Sequence, residues 1–218
     1  MCIKIKKFLL DILFPKFCFN CGQEGDYLCG DCQGMLEISG FHQKYATANL
    51  RDLYFSLSYQ NPLVRNLIQK LKYEPFIKEL AKTLSSLIIA HFELLDNKPD
   101  FTDFILIPVP LTKKRLKWRG FNQVKEISRE LAQFFKLPLI LDCLIKIKET
   151  PAQVDLEQEQ RKENIKGVFQ VQNKELIKNK KILLIDDVYT TGATMEECGR
   201  VLKDAGAKEI IAVVVARG

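Results

Sequence analysis

The sequence predicts an α/β fold, in which helices flank a parallel sheet and a small four-cysteine element lies at the amino-terminal end. Three observations lead to this prediction. Residues 181–215 show the pattern strand, turn, helix, strand; an apolar run over 104–110 predicts another buried strand; and two Cys-x-x-Cys pairs lie between 18 and 32. The 218 residues are enough for one α/β domain over 41–218 and an appendage over 1–40.

The carboxyl-terminal unit begins with four apolar residues, Ile182 to Ile185, which predict a short strand buried on both faces. We expect the strand to end there, at Asp186 and Asp187, and a turn of small and hydroxyl residues to follow over Thr190–Thr194. A helix and a second strand over 210–215 complete the unit. Ligands of such sheets bind beyond the carboxyl ends of the strands.

The helix after the turn has its own start and stop signals. Thr194 is the expected N-cap residue, and Glu197 three residues later predicts a capping box. Gly206 is the expected end of the helix. Apolar residues recur between these points at helical spacing, so one face of the helix should be buried.

The turn suits a sugar phosphate. Asp186 and Asp187 can accept hydrogen bonds from vicinal ribose hydroxyls, and backbone N–H groups at the positive end of a helix can surround a phosphate. The residues that would supply these groups are Thr190, Thr191, Gly192, Ala193 and Thr194. An acid pair that only caps a loop is the alternative, but the full run is far more restrictive. It resembles, position by position, the signature of type I phosphoribosyltransferases for phosphoribosyl pyrophosphate (PRPP), which implies that fold and a magnesium ion bound with PRPP.

The cysteine pairs are Cys18-x-x-Cys21 and Cys29-x-x-Cys32. This spacing is typical of a four-thiolate zinc site, and four thiolates leave no open position on the metal, so the zinc would be structural. A redox pair and two disulfides are the competing interpretations. We expect Cys143 and Cys198 to be core residues.

The composition and the amino-terminal sequence limit which ligands and which location the protein can have. There are 33 basic and 27 acidic residues, a net charge of +6, which suits phosphate-bearing ligands or nucleic acid but equally a solvated surface. Asp11 interrupts the apolar run over 8–14, and no small-residue cleavage site follows it. We therefore expect an amphipathic helix there, with membrane-surface binding as the alternative, no membrane insertion, and a cytoplasmic location.

Between these ends the pattern predicts further elements. Strands are expected at 53–59 and 139–145, and helices at 61–73, 77–95 and 122–135. We expect the lone His91 to be exposed. Arg115 and Arg119 lie in a basic segment after the strand at 104–110, where they could hold pyrophosphate, and Trp118 could stack on a base or pack. Lys148 and Arg161 belong to a polar stretch that predicts a lid over the site.

Taken together, these pieces resemble the ComF family of competence proteins, of the ComFC type. The residues that carry the resemblance are the two cysteine pairs, Leu71-Lys72-Tyr73, Arg115, Arg119-Gly120-Phe121-Asn122-Gln123, Thr150, Gln153, Arg161, Asn164 and the run from Asp186 to Thr194. One departure is visible: the family often has arginine shortly before Thr150, where this chain has Lys146 and Lys148.

The resemblance implies a role in natural competence and DNA uptake, with single-stranded DNA and other competence proteins, such as a DNA helicase or translocase, as partners. Two functions stay open. The chain could be a phosphoribosyltransferase that transfers phosphoribose from Mg-PRPP to an unknown acceptor. It could instead be a non-catalytic PRPP or nucleotide sensor, or a single-stranded-DNA-binding module, because fold alone does not decide function.

Overall fold

The computed structural model describes residues 15–44, 47, 49–149 and 164–218. Three expectations fall outside these residues, namely the amino-terminal amphipathic helix, most of the predicted lid and the position of Arg161. The described helices are α1 (Gly30–Gly34), α2 (Pro62–Lys72), α3 (Leu80–Leu94), α4 (Lys113–Arg119), α5 (Gln123–Phe135) and α6 (Ala193–Asp204). The strands are β1 (Gln43–Lys44), β2 (Asp52–Ser58), β3 (Phe104–Pro108), β4 (Leu144–Lys146), β5 (Phe169–Val171), β6 (Lys181–Tyr189) and β7 (Glu209–Arg217).

Five strands form the central sheet in the order β1-β2-β7-β6-β3, and all of its neighbours are parallel except the β1–β2 pair. Strands β6 and β7 are buried along almost their whole length, as expected of a sheet covered on both faces. Strands β4 and β5 form a separate antiparallel pair.

The sheet divides the apolar interior into two layers. One layer contains α2, α3 and α5, and Cys18, Leu28 and Leu36 of the amino-terminal element belong to it. The other layer contains α6 and the β4–β5 pair. The amino-terminal element therefore shares its apolar contacts with the larger part of the chain. No helix within the described ranges is both long and apolar enough to cross a bilayer.

The register of β6 corrects the expected position of the acid pair. Pairing of β3 with β6 ends at Pro108 and Ile185, whereas pairing of β6 with β7 continues to Tyr189 and Arg217. The prediction that the strand ends before the acids is thus wrong, because β7 continues the ladder past them. Asp186 and Asp187 lie inside β6, beyond the end of β3.

The basic segment after β3, for which the sequence predicted no element, is the helix α4, with Thr112 as its N-cap and Gly120 in a left-handed conformation as its C-cap. Four further expectations need correction, of which the first two concern α6. Helix α6 has Gly192, not Thr194, as its N-cap. Glu197 instead accepts a hydrogen bond from the backbone N–H of Gly167, so there is no capping box.

The third correction concerns the strand expected at 139–145. Only Leu144–Lys146 is a strand, and Leu139 contributes a single bridge to Leu106. The fourth is His91, which is 0% exposed, because its ring lies against Tyr54 and Phe92 and its Nδ1 is 2.5 Å from the carbonyl oxygen of Ser39.

Candidate functional site

The two acids of β6 point to different surroundings, because successive side chains of a strand alternate between its faces. Asp187 is only 3% exposed. Its Oδ1 is 2.7 Å from the Nζ of Lys72, at the end of α2, and its Oδ2 accepts a 2.8 Å hydrogen bond from the Nε2 of Gln123, at the start of α5. The Lys72 and Gln123 contacts were not anticipated from the sequence, although both residues lie in the segments that carry the family resemblance.

Gln123 is held in turn from both sides. Its Oε1 accepts a hydrogen bond from the guanidinium group of Arg119, which is itself 8% exposed. Asn122 caps α5 by accepting from the N–H groups of Val124 and Lys125, and its side-chain amide donates to the carbonyl of Val109. The segment 119–123 thus forms a buried hydrogen-bond network that ends at the Asp187 carboxylate. The Arg119 guanidinium group points into this network and away from the surface.

Asp186 is partly exposed, and its carboxylate accepts a 2.8 Å hydrogen bond from the backbone N–H of Asp187. Burial and the neighbouring Asp187 charge raise the pKa of Asp186 to about 7, against the opposing charges of Lys72 and Lys146. The carboxyl group of Asp186 therefore changes its charge near neutral pH. Such behaviour is common in functional sites.

Cations approach Asp186 from the β4 side. Lys146 is half-buried, and burial together with the charge of Arg115 lowers its pKa. Arg115 is partly exposed on α4, whereas Lys148 is exposed beyond β4. Of the cations expected at the site, Arg115 thus acts electrostatically on Lys146, whose charge in turn lowers the pKa of Asp186.

The turn after β6 is shaped by Gly192. This residue has φ = 78°, a conformation that glycine adopts without strain. A Cβ at Gly192 would lie 2.1 Å from the hydroxyl oxygen of Tyr189, whose buried ring packs against the turn. The turn comprises Thr190, Thr191, Gly192, Ala193 and Thr194, and it opens α6, as the sequence predicts. Tyr189, which the sequence analysis did not single out, fixes the space available at this turn.

The four predicted zinc ligands come together. The sulfur atoms of Cys18, Cys21, Cys29 and Cys32 all lie within 4.8 Å of one another, and those of Cys21 and Cys29 are 3.6 Å apart. A tetrahedral zinc ion with bonds of about 2.3 Å requires sulfur atoms separated by about 3.8 Å. The spacing of the sulfur atoms therefore fits this metal.

Groups around the sulfur atoms support the same interpretation. The backbone N–H of Cys29 points at the Cys18 sulfur at 3.5 Å, and the side-chain amide of Asn20 points at the Cys32 sulfur at 3.2 Å. Such donors orient thiolate ligands of a metal. Cys143 and Cys198, by contrast, are buried elsewhere in the core, as predicted.

An exposed aromatic cluster lies next to the acid site. It consists of Tyr73, Phe76 and Trp118, and the Phe76 and Trp118 rings meet edge to face with centroids 4.9 Å apart. Trp118 is 54% exposed. Tyr73 directly follows Lys72, and Trp118 directly precedes Arg119, so the cluster flanks the residues that support Asp187.

A comparison with known protein families matches the carboxyl-terminal part of the chain. The family described as "Phosphoribosyl transferase domain" matches residues 117–218, which include α5, β6, the turn and α6. The match thus covers the acid pair and the predicted phosphate turn.

Curated relatives cover more of the chain. Competence protein F of Haemophilus influenzae is 28% identical over 90% of this chain and 82% of its own length. Competence protein ComFC of Streptococcus pneumoniae is 36% identical over 50% of this chain and 46% of its own length. The DNA utilization protein YhgH of Escherichia coli is 28% identical over 68% of this chain, which spans only 65% of that relative.

Among solved structures, adenine phosphoribosyltransferase from Leishmania tarentolae aligns with 80% of this chain and 80% of its own, at a TM-score of 0.40 and 17% identity. The family match, the curated relatives and the sheet agree with the fold expected from the sequence. The chain is thus similar over most of its length to a protein named as a competence protein, has a type I phosphoribosyltransferase-like α/β fold, and carries a four-cysteine cluster that could hold a metal ion.

Proposed function

We propose that this protein binds Mg-PRPP at the carboxyl end of β6 and acts in the handling of DNA during natural competence. The observation that carries the proposal is that strand β6, its acid pair, the glycine turn and helix α6 follow one another directly. The start of α6, where backbone N–H groups can bind an anion, would therefore lie beside two carboxylates. The acid pair would receive the ribose hydroxyls, and the N–H groups of residues 190–194 would receive the 5′-phosphate.

The pyrophosphate group would meet the cations on the β4 side. Arg115 offers a planar fork that can hold phosphate oxygens in pairs, and Lys146 and Lys148 contribute charge without that geometry. The direct role expected for Arg119 has less support, since its guanidinium group donates to Gln123 inside the protein. Arg161 and the rest of the segment 148–161 would close over the pyrophosphate, a role that the described residues do not test.

Transfer of phosphoribose to an acceptor would follow from the same arrangement. Positive charge builds on the ribose ring as pyrophosphate leaves, and an ionised Asp186 and Asp187 would stabilise that charge while the turn holds the phosphate. Magnesium would arrive with the substrate and keep most of its ligands from water and phosphate oxygens. The four-cysteine site, filled with zinc, would be structural. Reduced cysteines of this kind are consistent with the cytoplasm.

Isothermal calorimetry tests the PRPP site. Replacing Asp186 by asparagine should weaken Mg-PRPP binding by about 1.5–3 kcal/mol, the range for a hydrogen bond to a charged group. Asp142→Asn is the matched control, because Asp142 is an exposed residue outside the site. Pyrophosphate release in the presence of nucleobases or oligonucleotides then separates an enzyme from a sensor. A wild-type protein without measurable PRPP affinity would contradict the proposal.

A second function, binding of single-stranded nucleic acid, is favoured by the aromatic cluster. Exposed aromatic rings beside cations are typical of surfaces that stack bases and attract the phosphate backbone. The cations here are Lys113, Lys114 and Lys117, all exposed on α4 with Trp118. Competence partners, including a DNA helicase or translocase, would deliver such a strand.

Trp118 is the only tryptophan of the chain, so its fluorescence reports on this surface alone. Stacking of a thymidine oligonucleotide should quench the fluorescence, and the affinity should fall steeply with salt. Trp118→Phe serves as the silent control. Unchanged fluorescence at saturating oligonucleotide, with binding measured independently, would place the strand elsewhere.

A further inference from the structure

The contact between Lys72 and Asp187 is the most deeply enclosed ion pair that involves the acids of β6. Lys72 is the last residue of α2, and its side chain is 22% exposed, against 4% for the side chain of Asp187. The ammonium group is thus the more exposed partner of a largely enclosed pair. A carboxylate buried without a partner loses its hydration uncompensated, and the Lys72 ammonium supplies that compensation.

The pair is also fixed in direction. Gln123 donates to the second oxygen of Asp187, and Arg119 holds Gln123. The carboxylate therefore has one donor on each oxygen, from two separate helices, and its plane is set by both. Other charged or titratable groups that act on the pair are Asp186, Arg119 and Tyr59. Among these, Asp186 attracts the Lys72 ammonium, and Arg119 attracts the Asp187 carboxylate.

We propose that Lys72 is a positioning residue of the PRPP site, which holds the Asp187 carboxylate in a fixed orientation so that the acid pair keeps a defined geometry toward the ribose hydroxyls. The inference rests on the proposed PRPP binding. Lys72 acts through Asp187 and does not itself touch the pyrophosphate. A lysine that contacted PRPP directly would have its effect whether or not Asp187 were charged.

A double-mutant cycle separates these two roles. Calorimetry with Mg-PRPP is measured for the wild type, Lys72→Met, Asp187→Asn and the double variant, with Lys82→Met as the control for an exposed lysine. At pH 7, Lys72→Met should weaken binding tenfold or more. In the Asp187→Asn background the same substitution should change the affinity less than twofold. Independent, multiplying losses would overturn the proposal.

Rescue by a conservative variant provides a readout that a purely structural role would not move. Lys72→Arg keeps a charged donor for Asp187 and should restore most of the affinity that Lys72→Met loses. Equal affinities of Lys72→Arg and Lys72→Met would contradict the proposal. Lys72→Gln, which retains a donor but no charge, replaces Lys72→Met if the latter does not fold.

Failure of the proposed function is distinguishable from failure of this inference. If the wild type binds no Mg-PRPP, the PRPP proposal is wrong and the positioning role falls with it. Thermal unfolding of the same four proteins then still tests the ion pair: each single variant should have a lower midpoint, and the double variant should be no less stable than the weaker single variant. PRPP binding with additive losses in the cycle overturns the positioning role alone.

Discussion

Two adjacent aspartates of β6 have different roles because their partners differ. Asp187 is enclosed by Lys72 and Gln123, whereas Asp186 is partly exposed and affected by the charge of Lys146. The sequence shows the pair but not this division, because the partners of Asp187 lie 115 and 64 positions earlier in the chain. Long-range contacts between polar side chains leave no local pattern from which they could be predicted.

The raised pKa of Asp186 has a consequence for stability. A carboxyl group whose pKa is near 3.8 when unfolded and about 7 when folded binds more protons in the folded state between these values. The free energy of unfolding should therefore fall as pH rises from about 4 to about 7 on account of this group. Asp186→Asn should raise the thermal midpoint at pH 8 relative to the wild type.

That gain from Asp186→Asn should shrink toward pH 4, where the carboxyl group of the wild type is protonated in the folded state and partly protonated in the unfolded state. Melting curves at pH 4, 6 and 8 measure the effect. Asp142→Asn supplies the comparison, because its exposed pair with Lys125 contributes little. A midpoint difference that did not depend on pH would show that Asp186 does not titrate in this range.

A second prediction at the residue scale concerns the effect of replacing Gly192 on ligand affinity. Alanine at this position would be strained at φ = 78° and would overlap the Tyr189 side chain. Gly192→Ala should lower the affinity for ribose 5-phosphate tenfold or more, because the turn must open to accept the methyl group. Gly40→Ala, where no atom lies within 4 Å of a new Cβ, should leave the affinity unchanged. Equal affinities in calorimetry would exclude the turn as a phosphate site.

At the scale of elements, the sequence predicted the long, apolar pieces correctly. Helices α2 and α5 and strands β3 and β7 agree with their apolar periodicity and cap residues. The short β4–β5 pair was missed, because three-residue strands outside the main sheet have too little pattern. His91 was misplaced because α3 is covered on more than one side, so helical spacing alone did not reveal its burial.

The amino-terminal element should depend on its metal. Cys29→Ser removes one of four ligands, and structural zinc contributes on the order of 10 kcal/mol in small modules. We expect the wild type to carry one zinc ion per chain and the variant to carry none. Cys143→Ser is a matched control, since Cys143 lies in the other apolar layer. Metal analysis of the purified proteins measures the zinc content of each variant. One zinc ion per chain in Cys29→Ser would exclude Cys29 as a ligand.

At the scale of the whole molecule, the cysteine element and the sheet share one apolar layer. Leu28 and Leu36 belong to the same cluster as Leu67 of α2 and Leu84 of α3. Loss of the metal would therefore expose apolar surface of the larger part of the chain. Cooperative unfolding is expected where elements share a core.

This continuity predicts that zinc release and unfolding occur together. A chromogenic chelator reports the metal, and the fluorescence of Trp118, which lies far from the cysteines in sequence, reports the α4 side of the sheet. In urea, the two signals should give coincident midpoints and slopes, because metal binding to the folded state adds to the stability of the shared core. Zinc release at a clearly lower urea concentration, with Trp118 fluorescence still native, would contradict this prediction. It would mean that the cysteine element unfolds as a separate unit and that the shared apolar layer does not couple its unfolding to that of the sheet.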